Sequence, residues 1–210
     1  MTINCAYCGQ TITRREREHV IPKCLYPKTQ VSSKVQRITV PTCRSCNASW
    51  ADDEAHFRNV LNISGEPNAA AKEIWKTTRR GFTKLDGNRR LLDLIQLLHP
   101  VKINGQNRNM IYPGNDPRVL RIIRKITRGL CRFHNVDNAV DERRIKADIL
   151  KHIVPDAFLE NMPLRNCDPD IFQYRFQVLN QVGIHSFWLL TFFNRTTFYS
   201  LVEESMGSMI

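Results

Sequence analysis

Apolar and polar positions along this 210-residue chain follow three rhythms in turn. The first stretch is short-wave. Thr11-Ile12-Thr13, Val20-Ile21 and Ile38-Thr39-Val40 are brief β-branched pieces set among polar residues, which predicts short strands. Thr13-Arg14-Arg15-Glu16 also fits a helix capping box, and on that reading Glu18-His19 is the solvated second turn of a short helix. Val20-Ile21-Pro22 argues for strand instead, because Pro22 makes a poor helix interior. From Cys43 the rhythm lengthens. Trp50, Phe57, Val60 and Leu61 can share one face of a single helix that Gly65 and Pro67 terminate.

The middle of the chain stays helical. Residues 68–80 and 89–98 predict helices, 101–117 a polar linker or loose hairpin about Asn104-Gly105, and Pro113-Gly114 a break. In 117–133, Leu120, Ile123, Ile126 and Leu130 recur at helical spacing with arginines and a lysine opposite. That basic face reads as a solvated surface or, less simply, as a phosphate-contacting one. Residues 141–153 predict one more helix. The third rhythm is alternation. "IFQYRFQVL", "HSFWLLTFF" and "TTFYSLV" predict three strands. The expected fold class is α+β: a β-hairpin and helix over residues 1–66, then an accessory part over 67–210 with helices and a small antiparallel C-terminal sheet. That accessory part would serve specificity, regulation or oligomerisation. Its aromatic strands most simply form a core, although one face could pair two subunits in a homodimer or meet a regulatory protein.

Composition adds a partner class. With 42% hydrophobic and 24% charged residues the chain is globular, and its net charge of +11 favours polyanions, nucleic acid first and an anionic membrane second. The start, "MTINCAYCGQ", lacks the apolar core of a secretory signal, and the run "FWLLTFF" is far short of the ~20 residues a membrane span needs. A soluble, cytoplasmic protein is the expectation. Of seven cysteines, four form two C-x-x-C pairs, Cys5/Cys8 and Cys43/Cys46, with 34 residues between them. Four thiolates suit a structural zinc. A redox C-x-x-C is the rival, but neither pair has the strand-then-helix setting of that role.

One zinc pinning both ends of this segment would gather a particular set of side chains. Glu18 and Asn47 offer hard oxygen ligands for a divalent cation such as Mg²⁺ or Mn²⁺, and His19 offers an imidazole that titrates near neutrality. That chemistry suits metal-assisted hydrolysis of a phosphodiester. "CAYC", "EHVIP" and "CRSCN" together resemble the HNH endonucleases, or ββα-metal nucleases, in their zinc-bearing branch, over roughly residues 3–62. The resemblance implies structural zinc on Cys5, Cys8, Cys43 and Cys46, His19 as general base, and a catalytic divalent ion on Glu18 and Asn47. It implies an endonuclease acting on nucleic acid, DNA in the first instance. The alternative is a zinc-dependent nucleic-acid-binding module that does not cut.

Two departures stand out. Many members carry another asparagine before the second knuckle, where this chain has Ile38-Thr39-Val40. A final histidine is also expected, but on one regular helix His56 would point away from Asn47, and Glu54 would share its face about 10 Å along the axis. Asp52 and Asp53 read as helix-surface charges and Cys24 as a buried apolar residue. Arg14, Arg15, Arg17, Lys23 and Arg44 are the candidate phosphate contacts, chosen for nearness to the site. His99, His134, His152 and His185 have no partner motif.

Overall fold

The computed structural model describes residues 2–14, 16–27, 37–64, 68–84, 87–181 and 183–205, so Arg15 lies outside the described residues. The chain is a mixed α/β fold with small antiparallel sheets. Strands β1 (Ile3–Asn4) and β2 (Thr11–Ile12) flank the first cysteine pair, and β3 (Glu16–His19) pairs with β4 (Thr39–Thr42). Glu18 faces Val40 and His19 faces Thr39 in that register. The capping-box helix therefore does not form, and the strand lies before Val20-Ile21 rather than through it. Val20 N–H still donates to Ile38 O (3.0 Å), but Pro22 has no N–H to extend the ladder. Val20 and Ile21 are buried at the bend, and a 3₁₀ turn, Lys23–Leu25, follows.

The helix expected after the second cysteine pair is two helices, α1 (Arg44–Ala48) and α2 (Ala51–Ile63). The Ser49 hydroxyl donates to Cys46 O (2.9 Å) and its N–H to the same carbonyl (3.2 Å), which tightens the turn and competes with α-helical bonding. Asn47 and His56 thus lie on different helices, and their separation around a single helix no longer applies. Helix α3 (Ala69–Phe82) starts at Asn68, whose side chain accepts from Ala71 N–H, and α4 (Gly87–Ile95) follows. The segment at Asn104-Gly105 is a true hairpin, β5 (Leu98–Ile103) with β6 (Gln106–Ile111). Both turn residues take positive φ, 50° and 76°.

Helix α5 (Pro117–Phe133) begins with proline in its first turn and Asp116 as its cap, which accepts from Arg118 and Val119 N–H. Residues 141–153 are not a helix. They form a 3₁₀ turn at Glu142–Arg144 and strand β7 (Ile145–Ile149), with a short α6 (Asp156–Leu159) beyond. Ile145, Ala147 and Ile149 alternate with polar residues, and pairing with a neighbouring strand satisfies backbone groups that a local helix would have bonded within itself. With β8 (Arg165–Asp168), β9 (Phe172–Gln181), β10 (Ile184–Phe192) and β11 (Thr196–Glu203), β7 makes an antiparallel sheet of order β7-β11-β10-β9-β8.

One apolar core runs from Cys5, Val20 and Leu25 through Phe57 and Leu61 to Trp188, Phe192 and Phe198. Phe57 of α2 meets Phe192 edge-on at 5.1 Å. Helix α5 is buried between the two ends of the molecule. Thr127 and Ser200 hydroxyls meet at 2.7 Å on the sheet side. On the hairpin side a Cβ added to Gly129 would lie 2.8 Å from Val20 Cγ2, so only glycine lets the two backbones come this close. The basic face of α5 is accordingly not a solvated surface. Lys125 and Arg128 are buried, while Arg118 and Arg121 pair with Asp53 and Arg124 with Glu142. Among the described residues no helix is long and apolar enough to cross a membrane.

Candidate functional site

The cysteine cluster is built from the two knuckles. Gly9 adopts φ 73° to close the first, where its N–H donates to Cys5 O, and Cys43 stands at the N-terminus of α1. The four sulfur atoms of Cys5, Cys8, Cys43 and Cys46 lie within 4.8 Å of one another, and Cys8 and Cys43 are 3.8 Å apart. Tetrahedral zinc with Zn–S bonds of about 2.3 Å needs sulfurs about 3.8 Å apart. Backbone and side-chain donors already face the sulfurs: Cys43 N–H points at Cys5 Sγ (3.4 Å), and the Ser45 hydroxyl lies 3.2 Å from Cys43 Sγ. Burial alone would raise the Cys5 thiol, but N–H groups of Cys8, Cys43 and Tyr7 bring it down to about 6. Burial, and then the neighbouring sulfurs, push Cys46 well up. A dication is what lets all four ionise together. These residues fit a structural zinc.

Glu18 and His19 project from β3 in different directions, as neighbours on a strand must. The Glu18 side chain turns inward, where Lys125 of α5 meets it: Nζ donates to Glu18 Oε1 (2.5 Å), Glu54 Oε1 (2.6 Å) and His19 O (2.9 Å). Three donors find three acceptors, and the lysine is fully buried. Burial raises the Glu18 carboxyl above the ordinary range, and the Lys125 ammonium draws it back only in part. Asn47 donates from Nδ2 to Glu16 Oε2 (2.7 Å), two residues before Glu18 on the same strand. The Lys125 ammonium thus already holds one oxygen of the carboxylate expected to take a divalent ion, and the Asn47 amide is engaged by Glu16.

His19 is half-buried. Its Nδ1 is shielded from solvent without a hydrogen-bond partner among the described residues, which leaves Nε2 to meet water. Burial, then the charges of Lys23, Arg37, Lys125 and Arg17, lower the imidazole to about 4, so it is neutral at pH 7. Of the proposed phosphate contacts, Arg14, Arg17, Lys23 and Arg44 are exposed, and Arg17 Nε also donates to Thr39 Oγ1 (3.1 Å). Cys24 is partly buried and its thiol is pushed up to about 12 by burial, consistent with an inert side chain.

His56 faces neither solvent nor the cysteines. It is buried and its Nε2 meets Asp116 Oδ2 at 2.5 Å, which ties α2 to the start of α5. Asp53, expected as a surface charge, receives Arg118 and Arg121. Sequence reasoning missed Lys125 and Arg37. Gly129, one turn after Lys125, carried a signal for the first, since a glycine inside a long helix marks close approach on that side. Arg37 had none beyond its position two residues before β4. Compared with protein-family models, curated proteins and solved structures, the chain finds no match in any of the three.

Proposed function

We propose that the N-terminal hairpin carries an HNH-type hydrolytic site for phosphodiester bonds in nucleic acid, DNA first, with His19 as the general base. The observation that carries this reading is a neutral imidazole placed among Arg17, Lys23 and Arg37 on the strand paired with β4, which runs into the four-cysteine cluster. Those cations would receive the phosphate. Its negative charge offsets theirs and so raises the basicity of His19 toward working pH. Nε2 then takes a proton from water as the oxygen attacks phosphorus. The bond to the 3′ oxygen breaks with its electron pair, and that oxygen is protonated from solvent. Arg17, Lys23 and Arg37 stabilise the charge that builds on the phosphoryl oxygens.

The resemblance also implies a magnesium or manganese ion, which would supply Lewis-acid stabilisation of the leaving oxygen. Since Lys125 holds Glu18, no step above passes through such an ion. The same contact favours the rival reading, a zinc-stabilised nucleic-acid binder without chemistry. A plasmid-nicking assay separates the two. Zinc-loaded wild type and His19→Ala are compared without added metal and with Mg²⁺ or Mn²⁺. Nicking by the wild type alone supports the hydrolase. DNA retention without nicking by either protein, on DNA and RNA alike, supports the binder.

A further inference from the structure

Helix α3 presents Lys72, Trp75, Lys76 and Arg79 within one sector of about 100° of its circumference, next to the buried face formed by Ala70, Ala71, Ile74 and Thr78. Lys72, Lys76 and Arg79 are exposed and Trp75 is half-buried. They line a groove of 420 Å³ together with Asn62 of α2. The Trp75 and Phe82 rings make a T-shaped contact (6.0 Å, 69°), and Trp75 is part of the groove lining. Glu73, the acidic residue of this helix, lies outside the sector. A second observation comes from Asn62. It is 8% exposed, its Nδ2 donates to Arg58 O (2.9 Å), and its Oδ1 is buried with no partner among the described residues. An orphaned buried acceptor is costly unless a ligand supplies a donor.

We propose that this groove binds an unpaired nucleotide of a single-stranded nucleic acid. The base stacks on Trp75, an exocyclic amino group of the base donates to Asn62 Oδ1, and backbone phosphates lie along Lys72, Lys76 and Arg79. Those cations are spaced about 6 and 10 Å along the helix from Lys72, which lets them track a strand rather than a single phosphate. Aromatic faces accept any base, and a duplex keeps its bases stacked on each other, so the groove selects unpaired strands. The proposal takes only the class of polymer from the hydrolase reading. It concerns a surface apart from His19.

The test uses zinc-loaded full-length His19→Ala protein, so that cleavage cannot obscure binding. Fluorescence anisotropy is read with a labelled twelve-nucleotide strand of adenine and cytosine, as DNA and as RNA. Trp75→Ala is expected to weaken binding by about 5- to 150-fold, the range for one stacked base. Trp75→Phe should retain most of the affinity. Lys76→Ala with Arg79→Ala should lower the slope of log affinity against log salt by about 1.4, for two phosphate contacts. Zinc content and melting temperature of each variant control for folding. Unchanged affinity in folded Trp75→Ala for both polymers would overturn the proposal, as would equal binding of the matching duplex. The two readings fail separately. Trp75-dependent binding by a protein that never cuts removes the hydrolase alone. Cutting by wild type whose KM is indifferent to Trp75→Ala removes the groove alone.

Discussion

The residue that organises the polar interior is Lys125. Its ammonium joins β3, α2 and α5 through Glu18, Glu54 and the His19 carbonyl. A buried charge that loses its partner is expensive, so Lys125→Met leaves two carboxylates facing each other without a countercharge. We expect that variant to lose about 3–5 kcal/mol in a denaturant titration. A midpoint equal to the wild type's would show that the cluster does not hold the interior together. His19 gives a pH dependence. Its pKa is about 4 in the folded protein and about 6.5 in an unfolded chain. The unfolded state therefore binds the proton first, and stability is lost as pH falls from about 6.5 towards 4. His19→Gln should remove that part of the acid sensitivity in melts recorded across the window. An NMR titration of the His19 ring that gave an ordinary pKa near 6.5 would contradict the assigned environment. The four-cysteine cluster was legible in the sequence because each pair sits in a short local pattern. Lys125 was not, because it lies 107 positions from the carboxylate it meets.

At the scale of elements, legibility followed the range of the interactions that form each one. The three C-terminal strands could be read because alternation is local and their hairpin turns are short. Strand β7 could not, because its Ile145, Ala147 and Ile149 find their partner in β11, some fifty residues later. The break between α1 and α2 was hidden for a different reason: Ser49 is an acceptable helix residue until its hydroxyl bonds back to Cys46. The contact of α5 with the β3–β4 hairpin depends on Gly129. An added methyl would meet both Val20 methyls at 2.8 and 2.9 Å and Tyr7 Oη at 3.2 Å. Gly129→Ala should cost about 1–3 kcal/mol despite the better helix propensity of alanine. A variant more stable than wild type in thermal melts would mean that the helix stands further from the hairpin than described.

Across the whole molecule, residues on both sides of position 66 share one core. The N-terminal hairpin is therefore held in two ways, by its cysteine cluster and by α5. Removing zinc with a strong chelator should lower the melting temperature of the entire chain in a single transition, because structural zinc contributes directly to folding free energy. Cys43→Ser should do the same without chelator. If the C-terminal sheet, followed by the signal of Trp188 in a variant with Trp50→Phe and Trp75→Phe, kept its melting point while the hairpin unfolded, the two ends would be independent. The +11 net charge acts at this scale as well. Such a charge favours polyanionic partners at long range but gives them no fixed position, which local contacts such as those proposed at His19 and the α3 groove would have to supply.

The most direct test is the single-turnover cleavage rate of a labelled DNA strand by zinc-loaded wild type and zinc-loaded His19→Ala, both confirmed folded. Cleavage by the wild type is expected, with a rate about 10²–10⁴-fold lower for the variant, the usual contribution of a general base. Equal rates from the two proteins would contradict it.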